Sequence, residues 1–157
     1  MRMDYNKTYN KILTDEEFME IKPHGSSDYP FQYYYDNLEL FDFHCIEWHW
    51  HREFEFLYVE SGKVLCGIGE KQIILSEGDA IFINSKILHR FYAASGGVIP
   101  NFVCMPEFIA PENSLVYKKY ILPIISSNMS NSAPTVKGME QAHSCFLVFE
   151  WTGFNNR

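Results

Sequence analysis

The stretch His49-Trp50-His51-Arg52-Glu53-Phe54-Glu55 decides how the rest of the chain is read. It sets two imidazoles at alternate positions, with a carboxylate four residues after the second. A lone histidine answers it later, in Gly78-Asp79-Ala80-Ile81-Phe82-Ile83-Asn84-Ser85-Lys86-Ile87-Leu88-His89. Imidazole nitrogens and carboxylate oxygens are ligands that a borderline transition metal accepts. Along one straight strand His49 and Glu55 would lie about 20 Å apart, at about 3.3 Å per residue. A metal holds its ligands at about 2.0–2.2 Å, so a shared ion requires the chain to bend near Arg52-Glu53. His49 and His51 then share a face at the end of one strand and Glu55 opens the next. The Gly78-Asp79 turn lets a neighbouring strand present His89. Three imidazoles and one carboxylate leave room for water or substrate on an octahedral Zn, Ni, Mn or Fe ion.

Outward from this group the pattern is strand after strand. Phe31–Tyr35 reads as a short aromatic strand, followed by Phe41–His49, Phe54–Glu60, Lys63–Gly69, Gln72–Leu75, Ala80–Ile83, His89–Ala94 and Asn101–Phe108. Breaks fall at Ser61-Gly62, Gly69-Glu70-Lys71, Glu77-Gly78-Asp79 and Ser95-Gly96-Gly97, residues that tolerate turn geometry. Short strands at close spacing with glycine-containing turns indicate an all-β sandwich or small barrel. Phe54, Phe56 and Tyr58 alternate with Leu57 and Val59, so both faces of that strand are apolar. One lines the interior; the other calls for cover from a terminal segment or a partner subunit.

Helical signals lie at the two ends. Thr14-Asp15-Glu16-Glu17 has the form of a capping box, predicting a short helix with Phe18, Met19 and Ile21 on its apolar face. Ser114–Leu122 reads as a helix stopped by Pro123, and the Ser/Asn-rich 126–134 as a loop. Gly138–Trp151 reads as a second helix, although Cys145-Phe146-Leu147-Val148-Phe149 is apolar on every side and fits a strand as well. The expected organisation is a 1–30 arm with a short helix, a 31–110 barrel and a 111–157 helical segment.

With 157 residues, 46% hydrophobic and 17% aromatic, the chain is large enough to bury a core without staples. A net charge of −7 argues against a nucleic-acid surface on this piece. The four cysteines, Cys45, Cys66, Cys104 and Cys145, lie far apart with no C-x-x-C pair, so reduced thiols are expected. The first residues lack the apolar stretch of a signal peptide, and no run reaches the roughly 20 apolar residues that span a bilayer. A soluble, cytoplasmic protein with no membrane contact is the expectation.

His49-x-His51-x-x-x-Glu55-(x6)-Gly62 resembles the first cupin motif, and Gly78-(x10)-His89 the second. The glycine usual six residues before the first histidine is Phe43 here. The second motif's proline and glycine are replaced by Asn84 and Lys86, and its trailing asparagine by Ala93. A wider resemblance covers roughly His24 to Ile125. It runs through His24-Gly25-Ser26, Pro30-Phe31-Gln32-Tyr33-Tyr34, Trp48–Phe56, Gly78–Ser85 and Lys118-Lys119-Tyr120-Ile121-Leu122-Pro123-Ile124. These segments resemble the ligand-sensing N-terminal domain of AraC-type transcription regulators.

That resemblance implies a cupin-like double-stranded β-helix, a jelly-roll barrel followed by one or two C-terminal helices. It also implies a small effector, often a sugar, in the barrel, and a homodimer formed by the helices after it. DNA would be bound only by a separate C-terminal domain, of which nothing after Trp151 carries a sign. On this view the chain is not an enzyme. The alternative is a small metal-dependent cupin enzyme, a dioxygenase or isomerase.

The candidate metal ligands are therefore His49, His51, Glu55 and His89, which in a metal-free pocket would contact an effector directly. Phe91 shares the parity of His89, and Glu47 that of His49, so both join the candidate ligand-binding set. Trp48, Trp50, Phe82 and Tyr92 could stack on a carbohydrate, but aromatics in a small barrel more often form core.

Overall fold

The computed structural model describes residues 9–127 and the backbone of 135–136. The second C-terminal element expected over Gly138–Trp151 lies outside the described residues, as does most of the 126–134 loop. Among the described residues the strands are β1 (Phe31–Asn37), β2 (Cys45–His49), β3 (Phe54–Tyr58), β4 (Ser61–Ile68), β5 (Lys71–Ser76), β6 (Ala80–Ile83), β7 (His89–Tyr92), β8 (Gly97–Cys104) and β9 (Thr135–Val136). All pairings between these strands are antiparallel. One layer runs β1-β8-β3-β6-β9, the other β5-β4-β7-β2, and the first residues of β4 reach across to β8. The two layers close on each other as a jelly-roll barrel.

The two apolar faces of β3 explain how the barrel is dressed. Leu57 and Val59 point inward and join Ile46, Cys66, Ile68, Ile83, Phe91 and Ile99 in the interior core. Phe54 and Tyr58 point outward to a second core, where Phe56 packs beside them. This second core is completed by α1 (Pro106–Ile109), a π-helical turn (Tyr117–Ile121) and α2 (Leu122–Ser126), through Ala110, Tyr117 and Ile121. The cover required by the outer face of β3 thus comes from the chain itself. Truncating Phe54 here would cost about 3–5 kcal/mol. No helix among the described residues is long and apolar enough to cross a membrane.

Several local expectations are corrected. Thr14–Ile21 is a tight hairpin, not a helix: Asp15 N–H donates to Met19 O and Ile21 N–H to Leu13 O, both at 2.9 Å. Asp15 Oδ1 accepts from Glu17 and Met19 N–H, which diverts the capping-box residues into an Asx turn and leaves Phe18 at φ +66. Trp50 captures the far arm of this hairpin, so tertiary pairing overrides helix signals only a few residues long.

The strand expected from Phe41 begins at Cys45, because Phe43 (φ +52) and His44 (φ +54) are left-handed and break the pleat. The last barrel strand ends at Cys104, and Pro106, whose fixed φ suits the first turn of a helix, starts α1.

Pro123 does not stop the C-terminal helix, which runs on to Ser126. Proline lacks an N–H and its ring strikes the carbonyl four residues back. The preceding turn widens instead, with Leu122 N–H donating to Tyr117 O five residues back. Ser114 Oγ accepts from Tyr117 N–H at 3.1 Å at the start of this segment.

Candidate metal centre

Four elements converge on one point inside the barrel. β2 delivers His49 at its last residue, β7 delivers His89 at its first, and the two are cross-strand partners with ring centroids 4.2 Å apart. Glu55 is the second residue of β3, on the inward parity shared by Leu57. His51 lies in the bend between β2 and β3. That bend is pinned from the other side: Lys86 N–H donates to His51 O at 2.8 Å, and Ser85 Oγ to Arg52 O at 2.6 Å. One ligand atom from each of His49, His51, Glu55 and His89 can be chosen so that all four lie within 4.8 Å of one another. Opposed ligands of one ion are about 4.2 Å apart, so a contraction of a few tenths of an ångström closes the set.

The protons are arranged for an ion. His49 Nδ1 donates to Glu47 O at 2.8 Å, His51 Nδ1 to Glu53 O at 3.2 Å, and His89 Nδ1 to Ile87 O at 2.7 Å. A carbonyl only accepts, so each Nδ1 carries the proton and each Nε2 is left for the centre, the usual support of a metal-bound imidazole. Glu55 Oε2 sits 3.0 Å from Nε2 of both His51 and His89.

Burial is nearly complete: His49, His51, Glu55 and His89 are 1%, 4%, 2% and 0% exposed. Burial pushes His49 well below the usual imidazole range, helped by His89 and His51. It lowers His51 too, against the opposing pull of Glu55. Burial alone would raise the Glu55 carboxyl, but His51 and His89 against its oxygen outweigh that and hold it well below the usual carboxylate range. Burial thus resists a second proton on His51, while an ionised carboxylate faces its Nε2 at 3.0 Å. A divalent cation between them satisfies both groups, and this donor set fits one.

The other expected site residues are placed differently. Phe91 is buried in the interior core beside His89, with ring centroids 5.5 Å apart. Glu47 is exposed and does not enter the cavity. Ile46 pairs with Phe91 and His49 with His89, so β2 carries one extra residue between them. That bulge breaks the parity that linked Glu47 to His49. Arg90 lies over the Trp48 ring, at 5.6 Å from its centroid. Phe82 packs against Phe54 and Phe56, Trp50 donates to the arm, and Tyr92 lines a groove with Leu65 and Ile74.

The structure adds two buried residues from the arm that the strand pattern gave no means to find. Glu20 Oε2 lies 3.2 Å from His24 Nε2, and His24 Nδ1 shares a 2.7 Å hydrogen bond with the Tyr34 hydroxyl. The His24 ring stands edge-on to His51, centroids 5.3 Å apart. In the sequence they are marked by the Glu20-x-x-x-His24 spacing, the glycine that follows, and the place of His24 at the head of the wider resemblance. A cleft of about 250 Å³ opens beside them, between Met19–His24 and His51–Glu53.

Residues 45–99 match the family model described as a cupin domain. An uncharacterized HTH-type transcriptional regulator of Bacillus subtilis, YdeC, is 28% identical over 119 residues, covering 74% of this chain and 40% of the regulator. The chain therefore spans less than half the length of that relative. Among solved structures, an RmlC-like cupin from Shewanella frigidimarina is 23% identical, with a TM-score of 0.39 over 41% of this chain and 59% of that one. Bacillus subtilis oxalate decarboxylase, with Mn(II) centres, is 25% identical, with a TM-score of 0.36 over 39% of this chain and 18% of that one. With its antiparallel layers, its matched segment and the helices packed on one face, the chain is a β-barrel of the cupin fold with flanking helices.

Proposed function

We propose that this chain is the effector-sensing and dimerisation part of a cytoplasmic AraC-type transcription regulator, with one divalent transition metal in its barrel. The observation that carries this reading is the enclosure of the His49, His51, Glu55 and His89 group beside an arm that bridges to Trp50, the residue after β2. The cleft beside His51 is lined by Met19–His24, so a ligand entering there meets the arm, and arm position would report occupancy. The 28% identity to a regulator of which the matched segment covers 40% supports the same reading, with DNA contacted by a part outside this chain. In this scheme 1–30 is the arm, 31–110 the effector barrel and 111–157 the dimerisation segment. Leu115, Val116, Tyr120 and Leu122 leave an apolar helix face exposed, which suits a homodimer.

The effector is a small molecule such as a sugar. Calorimetry of the metal-loaded protein against a panel of sugars tests this: a saturable binder supports it. Silence toward every sugar, with tight binding of a non-sugar metabolite, removes the sugar assignment. Sedimentation showing a monomer at all concentrations removes the dimer.

A metal-dependent enzyme, a dioxygenase or isomerase, is the second reading. The cleft flanking His51 favours it, since it brings Glu20 and His24 beside a metal ligand. When bound, the ion would supply Lewis acidity and an exchangeable coordination position. Glu20 and His24 would orient what enters. Turnover by the metal-loaded protein of a substrate that leaves the arm unmoved would favour this second reading over the first.

A further inference from the structure

Trp50 is the residue between two metal ligands, and it is also where the N-terminal arm is fastened. Its backbone N–H donates to Phe18 O at 2.9 Å and its carbonyl accepts from Glu20 N–H at 2.9 Å. Its indole Nε1 donates to Glu17 O at 2.8 Å. Met19 and Trp50 form a parallel bridge, so the arm lengthens the sheet by one short rung at the position flanked by His49 and His51. From that rung the chain turns through Glu20 to His24, whose ring stands against His51. The turn after His24 is held by Gly25 at φ +74. A Cβ there would lie 2.4 Å from Tyr29 O and 2.6 Å from Phe31 N, so nothing larger than glycine fits.

We infer that the arm is a working part of the metal centre: Glu20 and His24 are outer-shell positioning residues for His51, and arm docking and metal occupancy are coupled. The inference rests on the metal reading above. Outer-shell partners fix the orientation of a metal-bound imidazole. His51 is the one histidine of the cluster outside a regular strand, so its ring has the least help from a ladder. Its Nδ1 bond to Glu53 O, at 3.2 Å, is longer than those of His49 and His89, at 2.8 Å and 2.7 Å. The edge of His24, itself braced by Tyr34 and Glu20, supplies a second constraint on that ring. Coupling is reciprocal: whatever the docked arm contributes to metal affinity, the bound metal returns to arm docking.

Co²⁺ is the probe, because its visible spectrum reports ligand geometry and its transfer to EDTA reports release. His24→Ala and the milder Glu20→Gln should shift the Co²⁺ spectrum and speed release, by about 10–100-fold for the alanine. Trp50→Phe keeps the ring but removes the indole donor to Glu17 O, and should speed release by a smaller factor. In the converse arm, Co²⁺ should slow proteolysis of the wild-type Thr14–Phe18 turn. All variants are compared only after circular dichroism shows the wild-type sheet. Unchanged release in Glu20→Gln and Trp50→Phe, together with no protection of the turn, overturns the coupling while leaving the metal site standing. A wild-type protein that takes up no Co²⁺ overturns the metal reading and the coupling with it.

Discussion

His49 and His89 are direct cross-strand partners, and their rings lie 4.2 Å apart at the point where β2 and β7 begin to separate. Two buried imidazoles in this register each donate Nδ1–H to a carbonyl two residues back; Nε2 of His89 meets Glu55 Oε2 at 3.0 Å, and a ligand atom of His49 lies within 4.8 Å of the same cluster.

Removing one of them should therefore cost the ion. His89→Ala is expected to lose metal affinity by at least 100-fold. It should also abolish the rise in melting temperature that metal gives the wild type. At metal concentrations 100-fold above Kd that rise corresponds to about 2.7 kcal/mol. Thermal melts with and without Zn²⁺ check this.

The metal-free protein should weaken in acid. Burial lowers the His49 and His51 pKa values below 6.5, so on acidification the unfolded chain takes up protons that the folded one refuses. Glu55, held low when folded, adds to the same trend below its unfolded value near 4.5. All three make stability fall as pH drops. Urea midpoints should decline from pH 7 to pH 5. A midpoint flat across that range contradicts the neutral, buried imidazoles.

Phe43 and Lys86 stand where the cupin motifs usually carry glycine, and both keep a left-handed backbone, at φ +52 and φ +62. The motif glycines that remain, Gly62 and Gly78, have φ of +88 and +87. The fold thus retains its turns while two of them bear a Cβ, at about 1–2 kcal/mol each. Phe43 is 81% exposed, so little packing is lost on its removal. Phe43→Gly and Lys86→Gly should each raise stability by about 1 kcal/mol, read as a higher urea midpoint with an unchanged slope.

Among the described residues, thiol chemistry should be silent in the native state. Burial pushes Cys45 and Cys104 up to about 11, and Cys66 higher still. Ellman's reagent at pH 8 should leave these three unmodified until the protein is unfolded. Rapid native labelling of Cys66 would contradict its place in the interior core.

Much of the barrel was legible because strands of this kind carry their signal locally. The turn glycines and the inward alternation around Leu57 and Val59 locate most strands within a few residues. The bend at Arg52-Glu53 followed from distance alone. What could not be read depends on partners far away in sequence. The Asp15 hairpin forms because Trp50 holds its far strand. The parity of Glu47 fails at a bulge that leaves no mark in residue type. Glu20 and His24 reach the site only through that same hairpin. The π-helical turn before Pro123 is a compromise between a proline and a helix face that must cover β3.

The central claim is that His49, His51, Glu55 and His89 hold one metal ion. The most direct measurement is elemental analysis by inductively coupled plasma mass spectrometry of protein purified without chelator, beside an Glu55→Ala variant shown to be folded. Close to one equivalent of Zn, Ni, Mn or Fe per chain is expected in the wild type, and a small fraction of that in the variant. A folded wild-type protein that holds no transition metal and takes none up on dialysis against each ion would contradict it.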